Sequence, residues 1–143
     1  MFGAYYVDRS LSNFLIINLG TASVITCVIN NKLSGVVISP GYHISKHALI
    51  SHAHLLKNCK MEPINKAVGT TTQEAISIGV ANGHILMMKS LVDKIEKFNK
   101  FEYKKFITGG NLKELEKGFL NYTQESMLIE KGLVYILENF IAK

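Results

Sequence analysis

Cysteine is scarce in this chain, with Cys27 in a strand pattern and Cys59 in a loop. Two such residues make no metal-binding spacing and suit a reducing compartment, so both are expected as free thiols. A membrane-length apolar run is missing as well. The longest, Ala75 to Met88, is interrupted by Asn82 and His84 and is too short to cross a bilayer. Gly79-x-x-x-Gly83 inside it therefore reads as close packing of soluble helices, not as a membrane dimer motif. Met1 to Tyr6 hold no basic segment followed by an apolar one, so no signal peptide and no membrane partner are expected, and the expected location is cytoplasmic.

Interleaving of basic and aromatic residues in a sheet pattern is also lacking. The net charge is +5, but the lysines are scattered. Their densest group (Lys94, Lys97, Lys100, Lys104, Lys105) falls at the end of an expected helix, where cations suit the helix dipole. Nucleic acid is not an expected partner. His43, His47 and His54 fall in one helical stripe, yet His54 is seven residues beyond His47, roughly 10 Å at ~1.5 Å per residue, so the three cannot share one ion. They read as a polar face opposite Ile44, Ala48, Leu55 and Leu56.

What is present is ordinary for a globular fold: 143 residues, 48% hydrophobic and 19% charged, enough for one domain over 1–143 with an adequate core. The organising stretch is Ile16 to Thr26, where an apolar run ends at Leu19-Gly20-Thr21 and a β-branched run leads away. That is a hairpin. Gly20 can take the positive φ a tight turn needs, and the Thr21 hydroxyl with bare turn N–H groups can hold a phosphate. Strands are expected at Asn13 to Asn18, Ala22 to Ile29 and Leu33 to Ser39, with Asn30-Asn31-Lys32 as the second turn. Beyond Pro40-Gly41, helical spacing runs to Leu56 or Lys57, then Asn58 to Val68 is a loop.

Thr70 to Glu74 resembles a helix start, and that helix, the longest, runs to about Asn99. Lys104 to Thr108 is a short strand, Gly109-Gly110 a sharp turn, Asn111 to about Phe119 a helix capped by Asn111, and Gln124 to about Ile141 another helix. The order is α/β: a three-stranded antiparallel meander, helices, then a crossover to a parallel strand. It fits one ribonuclease-H-like, actin-like ATPase domain. A nuclease of that class needs clustered carboxylates for two metal ions, where this chain has Asn18 and Thr26.

Five blocks in order carry a resemblance: Asn18 to Ala22, Gly35 to Gly41, Ser45 with Ala48-Leu49, Gly69 to Ala75 with Gly79 and Gly83, and Thr108-Gly109-Gly110. Together they resemble the type III pantothenate kinases, and they imply the C-terminal half of that enzyme with the N-terminal half absent. The resemblance implies ATP-dependent phosphorylation of pantothenate to 4'-phosphopantothenate, the first step towards coenzyme A, with magnesium brought by ATP, potassium in support, and a homodimer. It places Gly20 and Thr21 at the ATP phosphates, Gly109 and Gly110 at the adenosine, Thr72 at pantothenate, and Asn18 where the family has a potassium-binding aspartate.

The chain also departs from the family. Asn18 offers a carbonyl oxygen without full negative charge, and Thr26 stands where aspartate is usual. The family's aspartate-x-glycine-asparagine phosphate loop has no counterpart. Of its glycine-x-aspartate-arginine motif only Asp8-Arg9 follows the pattern, with Tyr6 for the glycine and only ten positions before Asn18, so Asp8 is a weak candidate base and is expected as a solvated loop residue. Two functions follow: a kinase half, inactive alone and needing the other half from a longer or split chain, or a non-catalytic remnant serving as a binding or dimerisation module.

Overall fold

The computed structural model describes residues 1–53, 56, 59 and 62–141. Strands β1 (Phe14–Leu19), β2 (Ala22–Ile29), β3 (Lys32–Pro40), β4 (Lys104–Thr108) and β5 (Thr123–Gln124) form one sheet in the order β3-β2-β1-β4-β5. The β1–β2 and β2–β3 pairs are antiparallel, while β4 lies parallel to β1 and to β5. This is the meander with a crossover strand expected above. Asn30 and Asn31 both adopt positive φ (49° and 61°), the condition for the type I′ turn whose twist matches paired strands.

Central β1 buries Phe14, Leu15, Ile16, Ile17 and Leu19, so it is covered on both faces. On one face Leu15, Ile17, Leu19, Ile25, Cys27 and Ile107 pack with Tyr42, Ala81, Ile85, Met88 and Val92. On the other, Phe14, Ile16, Val28 and Phe106 pack with Ala4 and Leu128. The helices around the sheet are α1 (Phe2–Val7), α2 (Tyr42–His52), α4 (Gly83–Asn99), α5 (Leu112–Leu115) and α6 (Leu128–Ile136). Helix α3 (Thr72–Ile76) joins α4 through a π-helical stretch, Ser77–Asn82. Cys27 and Cys59 are free thiols.

The start of α3 follows its sequence signature. Thr71 Oγ1 accepts the Glu74 N–H at 3.3 Å, and the Glu74 carboxylate accepts the Thr70 N–H and hydroxyl at 2.9 and 3.0 Å. Lys66 completes the cluster by an ion pair to Glu74. Taken as one helix, Thr72–Asn99 is long and apolar enough by length and composition to cross a membrane, which corrects the measure taken on Ala75 to Met88 alone. It packs as a core helix, with Ile76, Ala81, Ile85, Met88 and Val92 buried. Ala81 thus faces inward, whereas Gly79 is exposed with open space around it.

Several boundaries differ from expectation. Helix α2 ends at His52, where Ala53 N–H bonds back to Leu49. His54, Leu55 and Lys57 lie outside the described residues. Asn111 does not cap α5 with its side chain, because that carboxamide donates instead to the Gly20 carbonyl. Only Leu112–Leu115 is α-helical there, and Glu116–Phe119 tightens to a 3-10 turn. The last helix begins at Leu128, since Thr123 and Gln124 pair with Phe106 and Ile107. Helix α1, not expected from the sequence, forms because a glycine at position 3 lets it meet the Leu128 carbonyl, where a side chain would collide.

Candidate functional site

The Leu19–Ala22 turn sits at the carboxyl end of β1 and is gripped from two sides. On one, the Gly41 N–H donates to the Thr21 carbonyl at 3.0 Å, and Gly41 lies so close to Gly20 and Thr21 that a side chain there would strike their carbonyls. On the other, the Asn111 N–H donates to the Leu19 carbonyl at 2.9 Å and its Nδ2 donates to the Gly20 carbonyl at 3.0 Å. These contacts consume inward-facing backbone groups and leave Thr21 exposed. The turn is held rigidly, which suits a site that must meet a charged ligand in one geometry.

The glycine roles differ from expectation. Positive φ belongs to Gly109 (φ 111°), not Gly20, and a Cβ on Gly109 would lie 2.5 Å from the Leu19 carbonyl and 2.6 Å from Asn18 Oδ1. Parallel pairing of β1 with β4, in which Asn18 faces Thr108, brings these residues together. Gly110 has open space around it and is exposed, so a ligand can approach its backbone. Asn18, Gly20, Thr21, Gly109 and Gly110 therefore share one locality.

Two clefts border it. One of about 340 Å³ lies between the sheet and α6, with Asn18, Thr26 and Thr108 among apolar side chains such as Ile16 and Leu133. The other, of about 650 Å³, is the more polar, formed by Thr108, Gly109 and Gly110 with Lys113, Glu116 and Gln124. Both open on Thr108. The oxygens that Asn18 and Thr26 offer to a cation are neutral. Among the described residues no three His, Cys, Asp or Glu side chains gather as a metal site.

Asp8 and Thr72 stand elsewhere. The Asp8 carboxylate accepts the Ser10 N–H and hydroxyl at 3.0 and 2.6 Å and pairs with Lys104 at 3.0 Å, which together hold its pKa at about 2. It is an ion-paired surface group. Thr72 is exposed in α3, twelve residues before His84, roughly 18 Å at ~1.5 Å per residue. His84 meets Ser23 near the turn, and further along the helix Leu91 and Ile95 flank Cys27 and Gly35. The helix thus runs down β2 and β3, and its α3 end projects past the turn. His43 pairs with Glu114 of α5 at 2.7 Å rather than joining a metal set.

Sequence reasoning missed three contributors: Gly41 and Asn111 as the grips on the turn, and the buried pair of Ser23 and His84, whose Oγ and Nε2 lie 2.9 Å apart. Gly41 had a visible signal in Pro40-Gly41, while the other two depend on contacts distant in sequence. Burial lowers the His84 pKa.

A family model described as type III pantothenate kinase matches residues 1–94. The type III pantothenate kinase of Mycoplasma mobile is 32% identical over 137 residues, covering 96% of this chain and 56% of that protein. That of Acholeplasma laidlawii is 34% identical over 128 residues, covering 89% and 52%. The chain therefore spans about half the length of the curated relatives it matches. Among solved structures, a Baf family protein from Campylobacter jejuni aligns with a TM-score of 0.64 at 22% identity, over 96% of this chain and 63% of that one. MreB 5 of Spiroplasma citri, bound to AMPPNP, aligns at 0.58 and 8% identity, over 96% and 57%. The fold is that of the actin-like ATPases. With its model matched over 94 of 143 residues, the type III pantothenate kinase family is the one to which the chain belongs.

Proposed function

We propose that the chain supplies the C-terminal, ATP-side half of a cytoplasmic type III pantothenate kinase, which transfers the γ-phosphoryl group of ATP to the hydroxyl of pantothenate and releases ADP. One observation carries this reading beyond family membership: an exposed Thr21 on a turn locked between Gly41 and Asn111, beside the open backbone of Gly110. In it the Thr21 hydroxyl donates to a phosphate oxygen, and Gly109-Gly110 admits the adenosine along the polar cleft. MreB 5 was solved with AMPPNP, a nucleotide of the same class. Thr72, on the projecting end of the helix, meets pantothenate. Magnesium comes with ATP, and Asn18 offers potassium a neutral oxygen only.

On its own the chain does not phosphorylate pantothenate. Phosphoryl transfer needs a group that orients or deprotonates the acceptor hydroxyl and donors around the γ-phosphate, and one turn supplies only part of the latter. Asp8 does not fill the gap, because a carboxylate held at about 2 by Ser10 and Lys104 is a poor base. In this reading the missing groups are those of the family's N-terminal half. The neutral Asn18 favours a second reading, a non-catalytic binding or dimerisation module. Coupled ADP release with pantothenate, ATP, magnesium and potassium tests both: no turnover alone and turnover with the N-terminal half of a relative supports the kinase half, and no turnover in either case supports the module. Turnover by the chain alone that vanishes in Asp8→Asn would overturn the proposal.

A further inference from the structure

Ser23 and His84 are 1% and 5% exposed, and their hydrogen bond links β2 to α4 within a largely apolar layer. Its position is unusual for a merely satisfied core pair. Ser23 is two residues past Thr21 and faces Leu19 across the hairpin, so it sits directly beneath the gripped turn. The Ser23 carbonyl also accepts the Ser39 hydroxyl at 3.4 Å, and the His84 ring lies 6.1 Å from that of Tyr42, the neighbour of Gly41. His84 thus touches the residues that floor the turn. In the other direction the same helix leads through the π-helical stretch to Thr72.

Resting on the proposed kinase reading, we infer that the Ser23–His84 hydrogen bond is a positioning joint, which sets the helix bearing Thr72 against the turn bearing Thr21 and so fixes the phosphate-binding geometry. Neither side chain touches a ligand. Their role is to hold register: without the bond, apolar packing of Ala81, Ile85 and Met88 against the sheet still forms the layer but no longer fixes how far the helix slides along β2. A directional hydrogen bond in an apolar layer selects one register where dispersion contacts accept several.

Amide hydrogen exchange and calorimetric ATP titration on the same samples separate this role from plain stability. The variants are His84→Leu, Ser23→Ala, the double variant, and His84→Gln, whose amide can reproduce the bond. Expected is roughly tenfold faster exchange at the Gly41 and Asn111 amides and roughly tenfold weaker ATP binding in either single variant. The double variant should be no worse than either, β1 and β4 amides should stay as protected as in the wild type, and His84→Gln should recover most of both effects. Uniformly faster exchange across the sheet with unchanged ATP affinity per folded molecule would overturn the joint and leave a core pair. If Leu at 84 prevents folding, Ser23→Ala decides the same way. A wild-type chain that binds no ATP would fail the kinase reading itself and overturn the positioning role with it, even if turn exchange responded as expected.

Discussion

At the residue scale, two adjacent glycines are set to opposite tasks. Gly109 holds φ 111° with its α-carbon against the Leu19 carbonyl, so Gly109→Ala combines backbone strain with a contact of 2.5 Å and should cost about 2 kcal/mol or more in urea unfolding. Gly110→Ala meets no atom within 4 Å and should unfold as the wild type does, yet weaken nucleotide binding by placing a methyl group at the open backbone. Equal destabilisation by both would contradict this division. The sequence pointed to the Gly109-Gly110 turn but assigned positive φ to Gly20. The demand on Gly109 comes from β4 lying beside β1, a pairing between residues far apart in the chain that no local pattern encodes.

At the element scale, α3 owes its start to Glu74, whose pKa is lowered to about 2 chiefly by Lys66 and then by the Thr70 N–H and hydroxyl. A carboxyl depressed in the fold stabilises it above the unfolded value near 4.5, and the contribution fades as pH falls through about 2. Glu74→Gln should therefore lower the melting temperature at pH 7 and have a much smaller effect near pH 2; an equal shift at both would show that the charge is irrelevant. This cap was readable in Thr70 to Glu74 because its partners are neighbours in sequence. The beginning of α6 was not, because Thr123 and Gln124 join a sheet edge whose other strand is β4. Helix α1 escaped for the same reason, being a six-residue helix held by its crossing with α6.

At the scale of the whole molecule, the strand order was legible because three adjacent strands with clear turns dictate the meander, whereas the surfaces the fold presents were not. Ala81 turns inward, leaving Gly79 and Leu86, 62% exposed, as the outer face on which a homodimer would form. Gly79→Glu should then convert the dimer to a monomer in sedimentation equilibrium at tens of micromolar, and a wild-type mass of one chain would count against it. In the proposed kinase half the gripped turn binds ATP phosphate, and this half of the fold holds only part of the contacts. Each hydrogen bond to a charged group contributes ~1.5–3 kcal/mol, so losing about half of them leaves weak binding. Calorimetric titration of the chain with ATP and magnesium tests this most directly: the expected result is an affinity weaker than micromolar that is lost in Thr21→Val, and micromolar binding indifferent to Thr21→Val would contradict it.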